Sequence, residues 1–468
     1  MTGKFKRWWR ANRRSLSAFE KGLMFAPILL WFSHQPLMSF GASDTLFLDV
    51  SVAEIYAPVL ALLAIPTIWR RRQALLKRRA VWLIGAFVLL AAVSLLWTPS
   101  WLRGLLTSGL IGIIYLIFLG LLASPNLKAM LPTLVRLTIA GALIMCAVGA
   151  AQFVAGIWLP RDVTLLCGGC VADQFGFVRV TGFAVEPQYF GNMLLLPIFL
   201  LLHRILAGRA SWRTNSALAI MMVALVLTLS RGAIFAFGAG LLVLVVIALV
   251  GRVKLRQIGV AAAIVVFGSA AAILAQGVAA QVNPNFSETF VGATAKSLNQ
   301  LSLGLIDWRP AAPPVEHESP PPSSEKPTNF DGYVEASTDY RLELSRQALR
   351  TWRQNPATIL FGVGIGGAGQ SMADYTGEIS ALAIVQNEFV EILLELGAVG
   401  LAIFATALIG FFIATRRCKW IWAVAVAFIV QWNFFSGYPN ALHTYVILAV
   451  IFAVVTSRHG QSKLAKKS

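Results

Sequence analysis

Residues 216–250 read SALAIMMVALVLTLSRGAIFAFGAGLLVLVVIALV, with Arg231 as the one charge in the run. A helix crosses roughly 30 Å of hydrocarbon with about 20 apolar residues, so this run is too long for one span. It reads as two spans, 216–230 and 232–250, joined by a turn at Arg231 and Gly232. Working outward, ten more apolar segments follow the same rule: 22–40, 50–69, 80–97, 104–123, 131–158, 189–206, 258–280, 389–415, 420–435 and 442–456. The whole composition agrees. The 468 residues are 57% hydrophobic and 13% charged. Soluble domains are about 45–50% apolar and about 25% charged, so too few charges are present to cover a water-exposed surface.

The net charge of +18 raises nucleic acid as a partner until its distribution is read. Lys and Arg gather on alternate loops: 4–21, 70–79, 128–136, 204–213, 252–256, 416–419 and 458–467. Cationic loops mark the cytoplasmic side. The charge is therefore topological, and no nucleic-acid partner is expected. Both termini are expected in the cytoplasm. The fold class expected is an all-α integral membrane protein of about 12 transmembrane helices with one large periplasmic loop, GT-C-like. Its parts are a basic cytoplasmic segment 1–21, helices one to nine over 22–280, the loop over 281–388, helices ten to twelve over 389–456, and a basic tail 457–468. Within the loop, 309–328 is a Pro-rich polar insert and 338–352 an amphipathic helix.

Ionisable groups at membrane depth are costly and point to function. Arg231 lies on the outer side between two spans and needs an anionic partner or a lipid phosphate. Arg179 and Glu186 flank the start of span six and are able to pair with each other. Glu388, Glu391 and Glu395 fall on one helical face, as a stripe descending about 10 Å from the outer start of span ten. Such carboxylates suit a general base for a hydroxyl, a cation path or a neutral core acid. The glycines of 361–367 look superficially like a nucleotide loop. Without a preceding strand they fit better a loop that approaches a ligand or headgroup closely. No His/Cys cluster has zinc spacing, so no metal and no cofactor are expected. Cys167 and Cys170, in an outer loop, are placed for a local disulfide.

These residues together resemble the bacterial O-antigen ligase and O-antigen polymerase superfamily of membrane glycosyltransferases. The matching stretches are 179–187 with Tyr189, Phe190 and Gly191; 229–233; the outer loop with Arg341 opening its helix; Asn355 and Pro356 through 362–364; 386–389; and 395–401. The resemblance implies glycan transfer from an undecaprenyl-diphosphate-linked donor at the periplasmic face of the bacterial inner membrane. It implies no nucleotide sugar and no obligatory metal. Matched residue by residue, Arg231 and Arg341, joined by Arg179, look like the arginines that hold the donor diphosphate. Where ligases of the family carry a His, this chain has Gln386, which cannot take a proton. Either Glu388, Glu391 or Glu186 serves as the base, or the acceptor needs none because the oxocarbenium-like centre is reactive enough, and the departure moves the expectation toward a polymerase of O-antigen or exopolysaccharide repeat units. A ligase acting on lipid A core or protein is the alternative within the family, and a transporter of an anion or lipid-linked sugar the alternative outside it. A flippase and a chain-length regulator are the protein partners this reading implies.

Overall fold

The computed structural model describes residues 15–29, 36–41, 47–159, 161–166, 170, 178–282, 294–295, 298, 330–377, 379–435 and 438–464. The Pro-rich insert 309–328 and the basic residues 1–14 lie outside the described residues. Eight helices are long and apolar enough to cross a membrane: Val52–Arg70, Arg79–Leu96, Trp101–Ala123, Leu127–Ala155, Pro187–Leu206, Arg231–Val250, Leu255–Val282 and Glu388–Thr415. Three shorter apolar helices, Trp212–Leu227, Trp420–Gln431 and Leu442–Thr456, coincide with expected spans. The protein is a multi-pass, largely helical membrane protein.

One expected span is corrected. In place of a helix over 22–40, two short helices, α1 (Ala18–Leu23) and α2 (Ala26–Leu29), precede an antiparallel hairpin of β1 (Pro36–Gly41) and β2 (Phe47–Ser51). Phe40 faces Leu48 and Met38 faces Val50 across the pair. The physical reason is local. Pro36 removes a helix N–H and favours a break there, and Gly, Ser and Asp after Phe40 favour a reversal over continued helix.

The chain divides into two compact units. Unit 1 takes Met1–Gly141, Leu242–Ile247 and Leu344–Ser468. It contains α3 (Val52–Arg70), α4 (Arg72–Leu76), α5 (Arg79–Val93), α6 (Trp101–Ala123), α14 (Pro356–Phe361), α15 (Ala368–Thr376), α16 (Glu388–Thr415), α17 (Trp420–Gln431) and α18 (Tyr438–Leu464). Unit 2 takes Ala142–Leu241 and Ala248–Glu343. It holds α8 (Arg161–Thr164), α9 (Pro187–Leu206), α10 (Trp212–Leu227), α12 (Leu255–Val282), the first half of α11 (Arg231–Val250), the end of α7 (Leu127–Ala155) and the start of α13 (Phe330–Trp352).

In unit 1 a single acid fixes the first helix. Ser17 and Glu20 form a capping box, in which Ser17 N–H donates to Glu20 Oε2 at 2.9 Å and Glu20 N–H donates to Ser17 Oγ at 3.2 Å. The same carboxylate accepts from the Ser124 hydroxyl, the Asn126 N–H at 2.9 Å and the Asn126 side-chain amide at 3.1 Å. It thereby ties α1 to the turn after α6. Burial acts to raise its pKa, but the bonds from Ser124, Ser17 and Asn126 outweigh burial and hold it below the usual carboxylate value. A depressed carboxylate contributes stability above its unfolded pKa, and that stability is lost as pH falls through the folded value. Detergent-solubilised wild type should therefore lose thermal stability as pH drops below about 4.3, and Glu20→Gln should flatten that part of the profile. At neutral pH Glu20→Ala should cost about 2 kcal/mol, since it leaves buried donors unpaired.

Candidate functional site

The turn that decided the fold also organises unit 2. α10 ends at Leu227, and Thr228, Leu229 and Ser230 reverse the chain before α11 starts at Arg231. Leu229 has φ +47, a left-handed conformation that costs a non-glycine residue on the order of 1–3 kcal/mol. Its side chain is buried, and the hydroxyl of Thr228 accepts the Ser230 N–H at 3.2 Å while donating to Leu225 O at 2.6 Å. Burial and these bonds hold the strained turn. Arg231 then opens an apolar helix, where a cation opposes the positive end of the helix dipole. That is an unfavourable place for a lone Arg and a favourable one for an Arg that meets an anion.

Arg179 reaches the same turn, its Nε donating to Thr228 O at 3.1 Å. The segment carrying Arg179 is extended and held by two amides that the sequence reading passed over. Gln152, on α7, donates to Thr164 O (3.1 Å), Thr181 Oγ1 (3.1 Å) and Gly182 O (2.9 Å), and accepts from the N–H groups of Thr181 (3.2 Å) and Gly182 (2.7 Å). Gln276, on α12, donates to Val178 O at 2.8 Å. Val180 N–H donates to Leu227 O at 3.3 Å, which completes the seat. An amide inside an apolar span must find partners. That signal was available at Gln152 and Gln276, and marks each as needing a partner without naming 178–182 as the segment held. Gln152→Leu should cost about 4 kcal/mol of stability, because it strands two buried N–H groups and two carbonyls. Thermal unfolding in detergent measures it.

Arg341 lies on α13 within unit 2, half-buried, and its Nη2 donates to Gln188 Oε1 at 3.4 Å. Gln188 is in the first turn of α9, where Pro187 is pre-set for helix entry and Glu186 is the N-cap. Gly191, one turn on, lets α9 close on α10 and α11: a Cβ there would meet Ala233 Cβ at 2.6 Å. The expected pairing of Arg179 with Glu186 is one the structure replaces. Arg179 turns to the Thr228 carbonyl, and Glu186 stands exposed at the N-cap position with no side-chain bond to its helix. Unit 2 thus assembles Arg179 and the turn leading to Arg231, and sets Arg341 against the helix that Glu186 caps.

The three glutamates of α16 belong to unit 1 and are all buried. They do not form one open stripe. Glu388 accepts from the Tyr445 hydroxyl, Glu391 Oε2 accepts from Val385 N–H at 3.3 Å, and Glu395 Oε1 accepts from Ala368 N–H at 3.5 Å. Nor does α16 descend as one rod. Gly397 is non-helical (φ 67, ψ −171), and the rings of Phe389 and Phe404 lie 6.1 Å apart. Fifteen residues of straight helix would separate them by about 22 Å, so the two arms fold back on each other. The break is filled by the glycine-rich segment before α15. Val363 and Gly364 N–H donate to Leu394 O (2.8 Å) and Glu395 O (2.9 Å), and the Ser94 hydroxyl accepts the Ile365 N–H at 3.0 Å. The close approach expected of these glycines is made to the chain's own backbone.

Among the described residues no group of three His, Cys, Asp or Glu side chains is placed to hold a metal ion. Cys170 is disulfide-bonded, Cys146 and Cys418 are thiols outside any disulfide, and Cys167 lies outside the described residues.

Residues 216–405 match the family model described as O-antigen ligase. The match, over about two fifths of the chain, supports the O-antigen ligase and polymerase superfamily. The matched region begins in α10 and runs through the Arg231 turn, Arg341 and the glycine-filled break of α16, so it takes in residues of both units. No curated protein matches the chain. The match supports glycosyltransferase-type activity in general, with lipid-linked glycan and lipid A core substrates as the class that the matching family uses.

Proposed function

We propose that this protein polymerises surface-polysaccharide repeat units at the periplasmic face of the inner membrane. The donor is a growing glycan on undecaprenyl diphosphate, and the acceptor a hydroxyl of a new lipid-linked unit. The observation that carries the reading is the arginine arrangement of unit 2: Arg179 bonded to the turn that presents Arg231, and Arg341 held by Gln188 beside the cap of α9.

In the reaction the glycosidic C–O bond to the diphosphate breaks, and the departing diphosphate gains negative charge. Fixed guanidinium groups are worth most at that moment, because their charge is already oriented. The acceptor hydroxyl attacks the anomeric carbon and gives up its proton. Of the candidate bases, Glu186 is exposed and two residues from the Gln188 that holds Arg341. Glu388 and Glu391 are buried on partners of their own. The proposal therefore assigns the proton to Glu186.

A ligase transferring the finished glycan to lipid A core or protein is the second reading, favoured by the description of the matching family model. Loss of the gene separates the two. Single repeat units on the final acceptor are expected for a polymerase, and no attached glycan for a ligase. A normal glycan profile with altered solute uptake would overturn both in favour of transport. Glu186→Gln should slow transfer about 10²-fold or more while leaving protein level unchanged, the usual weight of one general base.

A further inference from the structure

Unit 1 contains a cavity of about 580 Å³ between α5, α6, α16 and α18, remote in chemistry from the arginines of unit 2. Its wall is apolar, and its one charged lining residue is Arg79. Arg79 is exposed at the first residue of α5, where Ala414 from the end of α16 also lines the cavity. The opposite end is closed by aromatic rings. Phe404 stacks 6.1 Å from Phe87 and 5.7 Å from Trp432, and Trp432 lies 5.3 Å from Tyr445.

The slot has the depth of one leaflet. From Phe404 to Ala414 the second arm of α16 rises about 15 Å, half of a hydrocarbon core about 30 Å thick. Its mouth carries the marks of a membrane–water interface. Trp69 and Trp82 are 67% and 62% exposed beside it in the chain, the Arg72 guanidinium lies 4.4 Å over the Trp69 ring, and Trp82 N–H donates to Leu76 O at 2.7 Å. Exposed Trp rings settle at headgroup level. Arg70, Arg71, Arg72, Lys77 and Arg78 crowd the same stretch, and Arg78 is pressed below the usual guanidinium pKa by burial.

A dry slot one leaflet deep, with an arginine at a Trp-marked mouth, fits a lipid that has an acyl chain of leaflet length and a phosphate. We propose that this cavity holds one acyl chain of an anionic phospholipid from the leaflet faced by residues 70–79, with its headgroup phosphate on Arg79. The chain fills the space among Phe87, Ile111, Phe404 and Phe452, and so holds α5 against α16.

Gly410 gives the test. It lines the slot, and a Cβ added there meets nothing within 4 Å, so Gly410→Leu places a side chain in the lipid's space without straining the backbone. The full-length protein, purified in detergent and stripped of loosely held lipid, should retain about one phospholipid per chain by native mass spectrometry, enriched in phosphatidylglycerol or cardiolipin over phosphatidylethanolamine. Gly410→Leu should retain about tenfold less, the effect of 1.4 kcal/mol. Arg79→Gln should keep a lipid but lower the preference for anionic headgroups about fivefold, the worth of one basic residue at an anionic surface. Added phosphatidylglycerol should raise the unfolding temperature of wild type and not of Gly410→Leu. Equal retention by wild type and Gly410→Leu, no retained lipid, or polyprenyl phosphate recovered in place of phospholipid would each overturn the proposal.

Discussion

Arg341→Ala and Arg231→Ala should each abolish measurable polymerisation, with losses of at least about 10²–10³-fold in transfer rate, while both proteins insert and accumulate in the membrane. The argument rests on how each side chain is held. Arg341 is half-buried, and its bond to Gln188 is to a neutral amide at 3.4 Å, a long bond worth little to stability by itself. Arg231 stands at the positive end of α11, so its removal relieves an unfavourable dipole term. Membrane level and unfolding temperature of each variant, measured beside transfer, separate lost chemistry from lost folding. Lysine at either position keeps the charge and loses the planar fork that grips two phosphate oxygens, so Arg341→Lys should recover only part of the rate. Membranes supplied with a lipid-linked donor, with chain length read on a gel, give the measurement. Full-length chains from both alanine variants would remove the diphosphate clamp.

The second large effect is on folding. Gly397→Ala should lower stability by more than about 4 kcal/mol and remove most of the monodisperse protein recovered in detergent. The residue sits at φ 67, and a Cβ there would lie 2.3 Å from the carbonyl carbon and oxygen of Leu360. Gly362 is its counterpart. At φ 75, its added Cβ would lie 2.3 Å from the Glu395 carbonyl, so Gly362→Ala should fail in the same way. Backbone meets backbone at this crossing, and neither side has a flexible end to move aside. Gly109→Ala is the control. Its Cβ meets nothing within 4 Å, so on α6 it should be neutral or gain about 0.5–1 kcal/mol. If Gly397→Ala unfolds at the wild-type temperature, the fold-back of α16 is not needed for the native state.

Much of this was legible along the chain because its causes are local. Apolar runs of membrane length are a property of consecutive residues, and so is the need for a turn within 216–250, which the sequence puts at Arg231 and Gly232 and the structure three residues earlier, at Thr228, Leu229 and Ser230. The candidate arginines were legible for a related reason: a charge that no apolar environment tolerates stands out wherever it occurs. The 22–40 segment misled because hydropathy alone does not distinguish a span from two short helices and a hairpin.

The sequence by itself determined that the chain lives in a bilayer, where most of its apolar helices run, and which arginines are the candidates for its chemistry. Only the tertiary structure decided the fate of the acids and amides. Glu388 and Tyr445 are 57 residues apart, Gln276 and Val178 are 98, and Ile365 and Ser94 are 271. A buried polar group takes whichever partner the packing of distant helices brings to it, and no local period or propensity encodes that choice. The same holds at Gly397, where a glycine in an apolar run reads as helix until the backbone of Leu360 is placed against it.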